Sequence, residues 1–394
     1  MGRIIEGMSS STEPNPPAGV IDPSVGPHIQ TSTGRDSALD TLRGLAMMYV
    51  IFIHTLFWTP WFKDGAITII KSFFLIEMPL FFFLAGAANA LGRKKSLARF
   101  YVSRCQRILV PYWFYAILCL ALTAAISFQT FRDMAPARVI LGWLLPLDQP
   151  SAVPYLSWAL WFVPIYLLVI VCFPALRWTF DHTAGLTRWA LPVLLAVAVL
   201  VLSRTFPYTS DSPKFGAAFC MKHVTTTVFY CFWVYLGLFF QSWRQENRTR
   251  WKTAAILAGV CFAAVAALLL TRRYVPDMQE NKFPPNFIFL LYTFGMLSLV
   301  YAGHNTILAA IAQLRRWAAI DWLFEQYSRR CYTIYLYHPV VFLIILKTLA
   351  WLPFHVAGWI EFPVTLLAAL VLSVLLGKLF HFAEKITLIP DGNK

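Results

Sequence analysis

Apolar residues run through this chain in long stretches, and short polar bursts separate them. A run of about 17 to 25 mainly apolar residues is long enough to cross a bilayer as a helix. Ten such runs fall at 38–58, 67–91, 108–129, 156–176, 189–205, 224–243, 252–271, 286–303, 331–351 and 360–382. The pattern predicts an all-α integral membrane protein with about ten transmembrane helices. The fifth run is short, and the tenth ends in charge. The segment 136–147 is apolar but too short to cross, which predicts an interfacial or re-entrant helix. The segment 306–327 mixes charged and apolar positions and reads as an amphipathic connection lying along the membrane. Residues 1–35 are rich in Ser, Thr, Gly and Pro and hold no apolar run of signal-peptide length. They read as a flexible tail ahead of an uncleaved first span, with the membrane domain over 36–385 and a short tail over 386–394.

Composition strengthens the membrane assignment. Of 394 residues, 58% are hydrophobic, and the mean hydropathy is +0.61. A soluble domain of this size needs far less apolar surface. The net charge of +14 would suit nucleic acid only if it lay along one soluble face. It falls instead in bursts between spans, which argues against nucleic acid. Arg93, Lys94, Lys95, Arg99, Arg104 and Arg107 lie between spans two and three, and Arg244, Arg248, Arg250 and Lys252 between six and seven. Arg315, Arg316, Arg329 and Arg330 precede span nine, while the opposite loops are poorer in Lys and Arg. The positive-inside rule then predicts both termini in the cytoplasm of a multi-pass protein of the cell membrane. The seven cysteines are scattered without CxxC spacing, so they suggest small apolar side chains and no metal site. No part of the pattern sets an oligomeric state.

Polar residues inside the spans are costly and are the functional candidates. The first span, LDTLRGLAMMYVIFIHTLFW, carries Asp40, Arg43 and His54. On a helix Arg43 and His54 lie on nearly the same face, roughly 16 Å apart along the axis. In the predicted orientation Arg43 is toward the cytoplasm and His54 is in the outer half. Neutral imidazole can take a proton from a hydroxyl; it can equally bond a neighbouring helix. Asp40 is placed to pair with Arg43, and Arg43 can alternatively snorkel to the interface.

Four further groups stand out. Arg104 and Arg107 are one helical turn apart with Arg99 near the same side, so a short helix there would offer a cationic face to a polyphosphate. Topology-setting charge and anionic lipid contact are the plainer account. Glu77 with Pro79 in mid-span two marks a polar interior position, unless the carboxyl is protonated and bonded between helices. Tyr332, Tyr335 and His338 recur at every third position and share a face that can line a cavity or anchor at the interface. The outer ends contribute Trp158 and Trp161, and Lys282 to Asn286, and their aromatic rings suit an acceptor at the outer side or an ordinary aromatic belt.

The fragments LDTLRGLAMMYVIFIH, EMPLFFFLAG, RFYVSRCQRILVPYW, LWFVPIYL and YTIYLYHP, in this order, resemble the acyltransferase-3 family of integral membrane acyltransferases, over about 36–382. The resemblance implies O-acyl transfer, commonly of acetyl from acetyl-CoA as co-substrate, to a hydroxyl of a sugar or other envelope or secreted acceptor. It implies that His54 is the essential histidine with Arg43 its paired arginine, that Arg104 and Arg107 serve the CoA donor, and that His338 belongs to a late Tyr-rich motif. Many members carry a histidine before the LWF-type motif, where this chain has Ser157, Trp158 and Ala159. A secondary transporter would use Arg43, Glu77, His54 and His338 as a substrate and proton path, but the paired halves of such folds are not visible.

Overall fold

The computed structural model describes residues 36–59, 65–92, 96–126, 128–133, 141–146, 156–205, 217–245, 250–351 and 358–389. The expected tail over 1–35 and the last residues of the C-terminal tail lie outside this set. The helices are α1 (Ser37–Trp58), α2 (Gly65–Ser72), α3 (Glu77–Ala90), α4 (Leu97–Ile126), α5 (Phe128–Asp133), α6 (Phe162–His182) and α7 (Ala190–Thr205). They continue with α8 (Ala217–Gln245), α9 (Trp251–Leu270), α10 (Phe287–Ala302), α11 (His304–Leu314), α12 (Ala318–Arg329), α13 (Cys331–Trp351) and α14 (Gly358–Phe380). No sheet forms among the described residues. Among the described residues nine helical segments are long and apolar enough to cross a membrane, ten if α10 and α11, which meet at 62°, make one span. The chain is a multi-pass membrane protein.

Helix α8 is the hub, packing against α3, α6 and α7. Its middle, VFYCFWVYLGLFF, is apolar all round, and 83% of its span is buried. A helix without a polar face belongs inside a bundle. The crossing with α3 needs glycine on both sides. A Cβ on Gly86 would lie 2.1 Å from the Val234 carbonyl oxygen, and one on Gly237 would lie 2.1 Å from that of Phe83. Both obstacles are backbone, so neither can step aside. Gly86→Val is therefore expected to cost about 1–3 kcal/mol or more, read as a lower melting temperature in detergent. Gly259→Val is the control, because nothing lies within 4 Å of a Cβ there, and it should melt as the parent does.

Three boundaries depart from the sequence pattern. Span two is one crossing with a break: the helix stops after Ser72 and restarts at Glu77, so Glu77 opens a half-helix instead of sitting in mid-helix. Span three begins earlier, because α4 runs unbroken from Leu97 through the arginines to Ile126; the expected separate short helix is its first part. Span four begins at Phe162, after a turn over 156–161. Of the expected short helix at 136–147, the described part forms a helical turn at 141–144 fastened to α4. The Tyr112 hydroxyl donates to the Trp143 carbonyl at 2.7 Å, and Trp113 Nε1 donates to the Leu144 carbonyl at 3.0 Å. The connection at 306–327 is two helices, α11 and α12. Arg315 between them bonds Asp321 at 2.6 Å and the Thr41 hydroxyl of α1 at 3.2 Å.

Candidate active site

The site is built where side chains of α1 and α13 meet. At one end the Cys331 thiol contacts the Arg43 carbonyl at 3.8 Å, and further along His54 meets His338. Both helices thus bring their polar residues to one seam. The arrangement on α13 follows from Pro339. Proline has no N–H, so the carbonyl four residues back loses its helical donor. That carbonyl belongs to Tyr335, and His338 Nδ1 bonds it at 2.5 Å.

This one contact sets the protons of the pair. A carbonyl only accepts, so His338 Nδ1 carries hydrogen and its Nε2 is left as the acceptor. His54 Nδ1 lies 2.6 Å from His338 Nε2 and must donate to it. The hydrogen of neutral His54 is therefore on Nδ1, and the lone pair is on Nε2, which makes no hydrogen bond among the described residues. His338 is fully buried, while His54 keeps part of its surface accessible. The His54 ring stacks on Trp58 with centroids 4.1 Å apart, and Trp58 meets Trp158 edge-on at 5.8 Å. An imidazole held by two rings and one hydrogen bond, with its basic nitrogen left unbonded among the described residues, is suited to receive a proton from a bound hydroxyl.

Glu77 comes to the same region through the break in span two. Breaking a helix inside a membrane frees backbone carbonyls that water cannot reach. Here tyrosines replace the lost donors: the Tyr49 hydroxyl bonds the Phe74 carbonyl at 2.6 Å, and that of Tyr292 bonds the Phe73 carbonyl. The Ser72 hydroxyl accepts the Met278 N–H at 2.9 Å, tying the break to the loop before α10. Glu77 then occupies the first turn of α3, where the helix dipole favours a carboxylate. Its Oε1 pairs with Lys282, and both side chains are almost wholly buried. Glu77 Oε2 has no partner among the described residues. The Lys282 ammonium lies 5.9 Å from the Trp161 ring centroid and 5.3 Å from that of Phe283.

The second charged cluster lies toward the Arg43 end. Arg43 Nη1 is 3.6 Å from Asp40 Oδ1, with both side chains partly exposed. Arg104 bonds the Asn89 side chain, which in turn bonds the Ala85 carbonyl at 2.8 Å. Arg104 is within electrostatic reach of both Arg107 and Arg43, while Arg107 and Arg99 are exposed. Asn89, Phe100, Arg104 and Tyr166 line a small internal space. Arg43 and Arg104 come from different helices, and guanidinium groups of this kind can serve a multiply charged anion. Arg99 is further out along α4.

The tyrosines of α13 act as struts. The Tyr335 hydroxyl donates to the Ala159 carbonyl at 2.5 Å, and the Tyr332 hydroxyl to the Ile108 carbonyl at 3.0 Å. Tyr335 supports the site through its ring against His338 and its carbonyl beneath the imidazole. Trp161 meets Lys282 and stacks edge-on against Phe283 at 4.9 Å. Sequence patterning did not identify Lys282 as the partner of Glu77, nor Asn89 as that of Arg104. For Lys282 a signal existed: Glu77 is an acid deep in a span, and such a charge requires a cation from elsewhere. For Asn89, one amide in a run of alanines, none did.

A family model described as an acyltransferase domain matches residues 36–378 of the chain. No curated protein and no solved structure matches it.

Proposed function

This chain belongs to the acyltransferase-3 family, and we propose that it moves an acyl group, acetyl in the simplest case, from acyl-CoA to a hydroxyl of a carbohydrate or other envelope or secreted acceptor. The donor side is the cytoplasmic face of the cell membrane, where positive-inside charge places both termini. The donor phosphates dock against Arg43, Arg104 and Arg107, with Arg99 adding charge further out. The thioester end extends along the α1–α13 seam toward His54. The acceptor hydroxyl arrives on the side of Trp58, Trp158 and Trp161, where aromatic faces suit a sugar ring.

His54 Nε2 takes the proton of the acceptor hydroxyl as its oxygen attacks the thioester carbon. The His54 imidazolium is held by its Nδ1–H bond to His338. Collapse of the tetrahedral intermediate breaks the carbon–sulfur bond, and the departing thiolate takes the proton back from Nε2. Direct acylation of His54 would use the same lone pair. The observation that carries this proposal is the chain from the Tyr335 carbonyl through His338 to His54, which puts that lone pair on Nε2 and leaves it unbonded among the described residues.

The test is acyl transfer from radiolabelled acetyl-CoA in membranes, with free thiol followed in parallel and envelope glycans weighed by mass spectrometry for the added acyl group. Thiol release without an acylated product, or none at all with active protein and cell extract as acceptor source, counts against the proposal. His338→Leu removes the acceptor that fixes the His54 tautomer, and a loss of about a hundredfold in kcat is expected, the low end of what a positioned base contributes. His338→Gln keeps an acceptor oxygen and should recover part of that loss. Equal rates for the leucine variant and the parent would show that His338 does not orient the base.

A further inference from the structure

On a different flank of α8 from the Arg104 space, a cleft opens between α8, α9 and α10. Together with the open space at its mouth, it takes in about 690 Å³ not filled by protein atoms. Its walls are aromatic, including Trp233, Phe239, Trp243 and Phe294. The span of α9 that forms one wall is only 22% buried, so the cleft borders the lipid phase. At one end Arg250 lies over the Trp243 ring, 5.6 Å from its centroid. Arg244 in the last turn of α8 and Lys252 in the first turn of α9 flank the same connection, and among the described residues no acidic side chain lines the cleft. From Trp243 to Trp233 the cleft wall descends ten residues of helix, about 15 Å, which is half the hydrocarbon thickness of a bilayer. We infer that this cleft binds one anionic phospholipid, its headgroup at Arg250 and one acyl chain lying along the aromatic wall within a single leaflet.

The charge argues for the headgroup, and the depth argues for the chain. An anionic headgroup uses the charge of Arg250 and Lys252 where a neutral one does not, and a soluble phosphate would leave the aromatic wall without an occupant. The polar side chains of Thr253, Ser298 and Tyr301 line the cleft as well, and they offer donors to headgroup oxygens.

The experiment uses full-length protein in a neutral detergent, titrated with dioleoyl phosphatidylglycerol and with dioleoyl phosphatidylcholine and read by native mass spectrometry. The anionic lipid should bind about fivefold more tightly, the worth of one basic side chain near an anionic headgroup. Arg250→Gln should abolish that preference while leaving chain binding. Ser298→Phe should weaken both lipids by filling the cleft, and glycerol 3-phosphate should not compete. Equal affinity of the parent for the two lipids overturns the inference, as does a preference that survives Arg250→Gln. Competition by glycerol 3-phosphate would make it a soluble-phosphate site, and displacement of the lipid by acetyl-CoA would make it part of the donor path. Either result overturns the assignment. If Ser298→Phe fails to fold, Arg250→Gln, at an exposed position, decides alone.

Discussion

His54→Ala should lower acyl transfer in membranes about a thousandfold while leaving protein abundance unchanged. The size of the effect follows from the role, since a positioned general base contributes roughly 10²–10⁴. Alanine also removes the Nδ1–H that His338 accepts, but His338 stays anchored to the Tyr335 carbonyl at 2.5 Å. The bundle should therefore survive. The His54 ring lies against Trp58 and His338 and is itself partly accessible, so its loss enlarges an existing space without opening a sealed core. The measurement is the rate of thiol release and of acyl incorporation at matched protein levels. His54→Gln is the informative companion: its amide can restore a donor toward His338 but supplies no base, so it should be as inactive as alanine. Wild-type turnover by either variant would remove His54 from the chemistry. Loss of activity together with loss of folded protein would leave a structural role, which the companion variant separates.

The spans were legible in the sequence because crossing a bilayer demands apolar length, and apolar length is visible residue by residue. The interruptions were not. Phe73 to Ile76 is an apolar stretch without glycine or proline, and nothing local says that the helix stops there. It stops because Tyr49 and Tyr292, from other parts of the chain, supply the hydrogen bonds that the helix gives up. Pro79 suggested a weakness in the same span but falls inside the first turn of α3, where proline is tolerated. Similarly, hydropathy marks where apolarity begins and not where helix begins, so the arginine-bearing start of α4 reads from sequence as a separate short helix ahead of span three. At the site, Arg43, His54 and His338 each stood out as intramembrane polar residues. Their pairing did not, since His54 and His338 are 284 positions apart. Pro339 was visible, but its consequence, a freed Tyr335 carbonyl that fixes a tautomer, appears only once the histidine ring is placed.

The Glu77–Lys282 pair carries the largest expected effect on stability. Lys282→Met would leave the Glu77 carboxylate in a site where its side chain is 2% exposed, with no solvent to receive its charge. Breaking one side of a buried pair costs about 3–5 kcal/mol, and thermal unfolding of purified protein should fall accordingly. The double variant Glu77→Gln with Lys282→Met removes both charges. Because the desolvation penalty disappears with them, replacing a whole buried pair is often neutral or stabilising by about 1–4 kcal/mol. Its melting temperature should return to that of the parent or exceed it. An unchanged melting temperature in the single variant would mean that the carboxyl is neutral or that the pair is not formed. The double variant also separates two uses of the same residues. If the pair only pins the broken span to the loop before α10, acyl transfer returns with stability. If the Lys282 charge acts on the reaction at His54, the protein is restored but its turnover is not.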